Sequence, residues 1–524
     1  MEVYAKQPHT YDKQRCIIEY GVNVWLSYGL TSGAPASDSN SYKWKPQIQM
    51  HHNRKVFDIY AQEVFARVSG DTNPIHLDPL AARRTFAGIR IVHGIQPIVW
   101  ALDVLASRRA EFLAPASMRV QFLRPIYIND TVDLDVSRLS SGTVKLRLSV
   151  SGEEVSSISL NFEPLPSAVT FFGFQSSRPT APPKVPNDYT LQEMHGVAGS
   201  LAFGPCTSEL RTLFPDAVAR FGFNVIAALV SSSSLVGMVV PGLHSMFSGL
   251  NVSFIDSQDT PDSELQFAVS SISERFRLVK IDIRANGILG TLDTISRLPP
   301  IRQLSAEHSR SIVIRDEFKR SISLVVGGSR GIGELTAKLL AAGGADVSIT
   351  YVHGRRDAEM VQNEILGSGG TCKSLRYDVC GDPLEQLSML STPPTHVLYF
   401  ATPPIFLRKE CLLDLARLNE FNSYYLSGFF KLAQACLRLR PQGVRIFYPS
   451  STAIDKRSGS MTEYTMAKSA GEILCADIAR FMPGVEVLVR RLPGLPTDQT
   501  SSVTQGKLAD PVQIVLPILR ELCR

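Results

Sequence analysis

The sequence predicts an α+β chain that gives way to α/β: two antiparallel sheets, each wrapped on one apolar helix, followed by a doubly wound α/β domain. Three observations carry this. First, residues 92–106, VHGIQPIVWALDVLA, are almost wholly apolar after His93 and Gly94, and the runs MRVQFLRPIYINDTVDLDVSRL, TVKLRLSVSG and SSISLNFEPL that follow alternate apolar and polar residues. A helix buried on most of its surface beneath an antiparallel sheet has that pattern. Second, the helix-then-strands order returns between 190 and 305: AVARFGFNVIAALVSSSSLVGMVV, a PGLHS turn, then SGLNVSFID, LQFAVSSISE, FRLVKIDIRANG and ILGTLDTISR. Third, from Ser321 the run ISLVVGGSRGIGELTAKLLAAGGADVSITYV reads as an apolar strand, a glycine-rich turn, an Ala/Leu-rich helix and a second strand, the opening of a doubly wound sheet.

Length and composition bound the rest. At 524 residues the chain is too long for one core, and about three or four domains are expected. Hydrophobic residues at 44% and charged residues at 20% describe an ordinary globular chain. The net charge of +5 carries no basic run, which argues against nucleic acid as a partner. Eight cysteines without a C-x-x-C pair indicate reduced thiols and give no support to a zinc site, so no metal is expected. The opening MEVYAKQPH has charges and a proline where a signal peptide has its apolar core, so a cytoplasmic location is expected. The most apolar run, Phe223 to Val240, is interrupted by four serines and ended by Pro241, which fits a buried helix better than a membrane span.

In order, residues 1–45 form an N-terminal extension with no assignable chemistry, and 46–165 hold the first sheet-and-helix domain. Within FDIYAQEVFARVSGD, Ile59, Val64, Phe65 and Val68 recur at mostly helical spacing, so a short helix leads into the turn SGDTNPIH. There Gly70 and Asp71 are turn formers and Pro74 pushes Asn73 away from helix, so Asp71 and His76 flank a rigid bend, as acid/base chemistry requires. An ordinary loop, with Asp71 making an Asx turn, is the alternative. Gly94, near the start of the apolar helix, lets a ligand approach free backbone N–H groups that favour an oxyanion. Residues 166–187 are a Pro- and Ser-rich linker, 188–305 the second domain, and 318–524 the α/β domain. His244 and Ser245 fit a turn capping the second apolar helix better than an active site.

The blocks SGDTNPIHLDPLAA, VHGI and QFLRPIYINDTV, in that order, resemble the MaoC-like, R-specific enoyl-CoA hydratase group of hotdog-fold proteins. The resemblance implies that Asp71 and His76 are the catalytic pair and Gly94 the oxyanion donor. The second domain, which lacks D-x-N-P-x-H, reads as a second, supporting hotdog unit packed on the first.

In the α/β domain, Gly327, Gly331 and Gly333 stand in G-x-x-x-G-x-G spacing, where missing side chains allow a tight turn and close approach to pyrophosphate. With YDV at Tyr377–Val379, Asn422, the strand RIFYPSS and YTMAK from Tyr464 to Lys468, the stretch resembles the short-chain dehydrogenase/reductase family over nearly all of 320–500. That implies Ser451 as carbonyl holder, Tyr464 as proton donor, Lys468 as ribose ligand and pKa modulator, and Asn422 as relay support. Gly327, Ser329, Arg330, Gly331, Ile332, Gly333, Arg355 and Asp378, with Tyr464 and Lys468, would bind the cofactor. No acidic residue ends the second strand near Thr350 and Tyr351, while Arg330, Arg355 and Arg356 are close by, so NADPH is favoured over NADH. Two departures stand out: Tyr399–Thr402 replaces the family's Asn-Asn-Ala-Gly turn, and the 30 residues after Gly494 read as ending in an apolar helix, DPVQIVLPILREL, without the family's final strand and its glycine-rich finish.

Together these resemblances imply a 3-ketoacyl-thioester reductase joined to a 3-hydroxyacyl-thioester dehydratase or enoyl hydratase. The acyl group would ride on coenzyme A or acyl carrier protein, and an oligomer of identical chains is expected. A hydratase with a degenerate nucleotide-binding domain, or a non-enzymatic scaffold, is the alternative.

Overall fold

The computed structural model describes residues 53–524 apart from 86, 109–114, 141, 163–177, 205, 257–263, 407–411, 458 and 501–507. The N-terminal extension and most of the expected linker lie outside them.

The first body holds β1 (Asn53–Val56), β2 (Ser117–Phe122), β3 (Thr131–Ser140), β4 (Thr143–Val150) and β5 (Glu153–Asn161). The second adds β6 (Ala198–Ala202), β7 (Ser245–Phe254), β8 (Glu264–Ser273), β9 (Leu278–Ala285) and β10 (Ile288–Ser296). All ten make one antiparallel sheet in the order β1-β3-β4-β5-β2-β7-β10-β9-β8-β6. Read outward from its centre, each half has the same order. The strand that follows the apolar helix sits at the seam, its last strand comes next, and a short strand from before the helix forms the edge. The expected repetition is thus visible as topology. The seam is β2 against β7, with Ser117 opposite Ser253 and Gln121 opposite Gly249.

Each half wraps its own helix. Helix Ile95–Ser107 buries Ile98, Val99, Ala101 and Leu102, and helix Phe223–Ser234 buries every residue from Val225 to Ser234. Both enter one apolar core shared by the two halves. The second helix runs on into a π-turn, Leu235–Val239. Together with the bent-off helix Pro215–Phe221 it is apolar enough to cross a membrane, but no single helix among the described residues is.

The last body is a parallel sheet of β11 (Ile322–Val326), β12 (Asp346–Tyr351), β13 (Thr371–Arg376), β14 (His396–Tyr399), β15 (Val444–Ser451) and β16 (Val485–Leu492). Its order, β13-β12-β11-β14-β15-β16, reverses at β11, where ligands lie in doubly wound sheets. Ala306, Val313 and Phe318 already belong to its core, so this body starts to pack before Ser321. Among the described residues the sheet ends at β16. The C-terminal helix Pro511–Leu522 instead lays Leu516, Leu519 and Leu522 into the core beneath helix Gly331–Ala342.

Candidate active site

Asp71 and His76 come together where helix Ile59–Ser69 stops. Gly70, at φ +77°, caps that helix in the left-handed region, and Asn73 caps the single turn Pro74–Leu77 that carries His76. Asn73 is itself tied down, because its amide donates to the Gly237 carbonyl at 2.8 Å. The bend is therefore clamped onto the second half of the sheet. An Asx turn is present too: the Asn73 N–H donates to Asp71 Oδ1 at 3.1 Å. The other carboxylate oxygen, Oδ2, accepts from the Ser233 hydroxyl at 2.7 Å.

Asp71 is buried, and that burial raises its pKa against the opposing pull of His76 and the two hydrogen bonds. Burial also lowers the pKa of His76, which keeps its ring neutral. His76 Nδ1 lies 2.9 Å from the Ile91 carbonyl. A carbonyl only accepts, so Nδ1 bears the proton and Nε2 keeps its lone pair. The His76 ring stacks on His93 with centroids 3.9 Å apart. His93, fully buried and held well below its usual pKa by desolvation, has Nε2 at the Asp71 carbonyl (3.0 Å) and Nδ1 at Gln62 (2.8 Å). Asp71, His76 and His93 could in principle share a metal ion. Both ring nitrogens of His93 lie at protein oxygens, Gln62 Oε1 and the Asp71 carbonyl.

These groups open on a cavity of about 250 Å³ lined by Gly94, Phe122, Ser233, Val236 and Phe247 among others. Gly94 lines the cavity and opens helix Ile95–Ser107, whose N-terminus has no side-chain cap. A Cβ on Gly237 would overlap the Asp71 carboxylate, so the glycine admits the acid. His244 lies near Asp188 at 3.2 Å and Ser245 lines the cavity. Sequence reasoning missed Ser233, Gln62 and His93. The serine run reads as helix interior, and only the histidine preceding Gly94 was a visible signal.

The second site sits on the α/β sheet. Gly327 turns at φ +80° with its N–H on Thr350 Oγ1 at 3.0 Å, and Gly331 opens helix Gly331–Ala342 at φ +59°. A Cβ on Gly333 would overlap the Gly327 carbonyl. This cradle, which only glycines fill, fits a dinucleotide pyrophosphate. Ser329 is buried beside it, and Ile332 packs on the core below. Within Tyr399–Thr402, the segment singled out as a departure, the Phe400–Ala401 backbone lies against Gly327, and the Thr402 and Tyr425 hydroxyls are 2.5 Å apart.

Tyr464 is buried, which raises its pKa, and its hydroxyl shares a hydrogen bond with Ser451 that partly offsets the rise. Lys468 lies one turn on, but its ammonium donates to the Pro449 carbonyl at 2.7 Å and sits 3.8 Å above the Tyr425 ring. Burial lowers its pKa to about 7. Asn422 ends helix Leu415–Asn422 just before a π-turn, Ser423–Gly428, and makes no hydrogen bond to Lys468 among the described residues. Asp378 accepts from the Cys380 N–H at 2.9 Å, an Asx turn. Arg355 is exposed and pairs with Glu359 at 2.7 Å. Arg330 donates to the Arg83 carbonyl at 2.7 Å and stands 3.6 Å from Asp498; burial lowers its pKa to about 10.

Residues 50–157 match the MaoC-like domain family. That span covers β1 through most of β5 and so includes Asp71, His76 and Gly94. The MaoC-like match stops before Ser233, which reaches Asp71 from outside it. The chain is also 26% identical over 207 residues to a 3-oxoacyl-[acyl-carrier-protein] reductase of Synechocystis sp., covering 38% of this chain and 82% of that protein. To versicolorin reductase stcU of Emericella nidulans it is 36% identical over 158 residues, 28% of this chain and 58% of that one. The chain thus spans four fifths of the first relative and under two thirds of the second. Among solved structures, a dehydrogenase/reductase from Sinorhizobium meliloti is 22% identical with a TM-score of 0.35, covering 41% of this chain and 90% of that one.

Proposed function

We propose that the chain is a bifunctional acyl-thioester enzyme: a hydratase or dehydratase in the first sheet and an NADPH-dependent 3-ketoacyl reductase in the second. The observation that carries it is the pair of buried Asp71 and half-buried His76, both within the residues that match the MaoC-like family, at the wall of a cavity. On this reading both halves of the ten-stranded sheet are hotdog units, and the second completes the site of the first.

Interconverting a 3-hydroxyacyl and a trans-2-enoyl thioester moves two protons, one at the α-carbon and one at the β-oxygen. Asp71 and His76 hold complementary protonation states for that exchange: the neutral imidazole has a bare Nε2, and the carboxyl is biased toward its acid form. The N–H groups at Gly94 receive the thioester oxygen as it gains charge. In the reductase, bound NADPH supplies the hydride, and the glycine cradle with Ser329 and Arg330 holds it. Tyr464 donates the proton to the carbonyl oxygen and Ser451 orients it. The similarity to an acyl-carrier-protein reductase supports an acyl thioester as substrate.

A second reading has one observation in its favour. Lys468 turns its ammonium to Pro449 and the Tyr425 ring, which fits a nucleotide-binding domain without hydride chemistry. The test is the full chain given crotonyl and 3-ketoacyl thioesters, of coenzyme A and of acyl carrier protein. Loss of enoyl absorbance together with NADPH oxidation at about 340 nm is expected. Hydration without NADPH oxidation establishes the second reading, and silence in both assays with the fold intact overturns both readings.

A further inference from the structure

Arg83 and Arg84 follow the short helix Pro79–Ala82, just after the His76 turn, yet they point away from the cavity and into the other body. Arg83 Nη2 and Arg84 Nη2 donate to the two oxygens of Asp357, at 3.2 and 2.5 Å. Asp357 lies in the first turn of helix Arg355–Gly367, which directly follows β12 and has no side-chain cap. A Cβ on Gly354 would overlap the Arg83 guanidinium, so the arginine is seated on that helix start. On the other side Arg330 donates to the Arg83 carbonyl, with Asp498 beyond it. One further sign marks the cluster as incomplete: the Nε of Arg83 is buried and has no hydrogen-bond partner.

This is the end of the second strand of a doubly wound sheet, where a ribose 2′-hydroxyl or 2′-phosphate is read. Three guanidinium groups meet there with two carboxylates, a residual positive charge in a partly buried setting. A 2′-phosphate, with close to two negative charges and three acceptor oxygens, suits it; a ribose hydroxyl gains little from it.

We infer that Arg83 and Arg84, carried by the hydratase body, form part of the 2′-phosphate site of the reductase, with Asp357 as their partner while the phosphate is absent. This rests on the NADPH-reductase reading above and adds two residues that no local reading of the α/β sequence contains. Nucleotide selectivity then depends on the docking of one catalytic body on the other.

The test is direct binding to the full chain, by calorimetric titration of NADPH and NADH, for wild type, the double variant Arg83→Gln/Arg84→Gln, and Asp357→Asn. The double variant is expected to lose about tenfold or more in NADPH affinity, as charge-assisted hydrogen bonds imply, with NADH affinity moved far less. Asp357→Asn is expected to strengthen NADPH binding, because the phosphate no longer competes with a carboxylate, and to leave NADH binding nearly unaltered. A purely structural clamp moves both nucleotides together in both variants. That result overturns the assignment, as does unaltered NADPH binding in the double variant. A wild-type chain that binds neither nucleotide overturns the reductase reading itself, and the assignment with it.

Discussion

Asp71 and Ser233 lie 162 positions apart in the chain and 2.7 Å apart in space. The hydroxyl bonds the charged form of the acid and so opposes the rise that burial imposes. Ser233→Ala is therefore expected to raise the apparent pKa on the alkaline limb of the hydration pH profile, where the acid form of Asp71 is lost, by up to about one unit, as one lost hydrogen bond implies. An unmoved limb with lowered rate would mean that Ser233 only packs. Asp71→Asn should lower hydration about 10²-fold or more, followed by enoyl absorbance. Lys468 gives a stability signature. Folded it titrates near 7 and unfolded near its ordinary 10.5, so the unfolded chain holds the extra proton between those values. Stability from this residue thus rises with pH across that window, by up to about 1.4 kcal/mol per unit, and the cost is complete below pH 7. Denaturant midpoints of wild type and Lys468→Met, compared from pH 7 to 10, should converge as pH rises. Parallel curves would show that the ammonium is not held against its charge.

At the scale of elements, both sites depend on glycines that let backbone or acid approach a helix. Gly237→Ala should displace the Asp71 carboxylate, abolish most hydration and cost about 1–3 kcal/mol, the usual penalty for overpacking. Gly333→Ala should weaken NADPH binding while hydration persists, as read by titration and enoyl absorbance on the same preparation. The Gly327–Gly333 turn was legible in sequence because the geometry that needs glycine lies within seven consecutive residues. So was the SGDTNPIH bend, where proline and turn formers dictate local geometry. Gly237 was not, since it stands in an apolar run and its meaning comes from Asp71 across the core. Arg330 shows the same limit: sequence placed it near a phosphate, but its bond to the Arg83 carbonyl depends on a docking that no local pattern encodes.

Among the described residues, one large apolar core lies under the ten-stranded sheet, a small cluster of Ile75, Ala87 and Ile91 is separate from it, and further cores lie on the two faces of the parallel sheet. Calorimetry should accordingly resolve two transitions, and on the proposed function saturating NADPH raises that of the α/β body by about 2.7 kcal/mol at a hundredfold excess over Kd. A single transition, shifted as one, would mean the bodies unfold together. The two types of sheet were readable from periodicity, but that the seam between the antiparallel sheets falls on β2 and β7 was not, because either strand alone has the pattern of any half-buried strand. That seam has a kinetic meaning. A site built from a carboxylate on one unit and a hydroxyl on another usually exists only above the dissociation constant of the pair. Here both units are on one chain, so their effective local concentration is set by tethering and the proposed hydratase site forms in a unimolecular step. Its turnover per molecule should stay constant however far the protein is diluted.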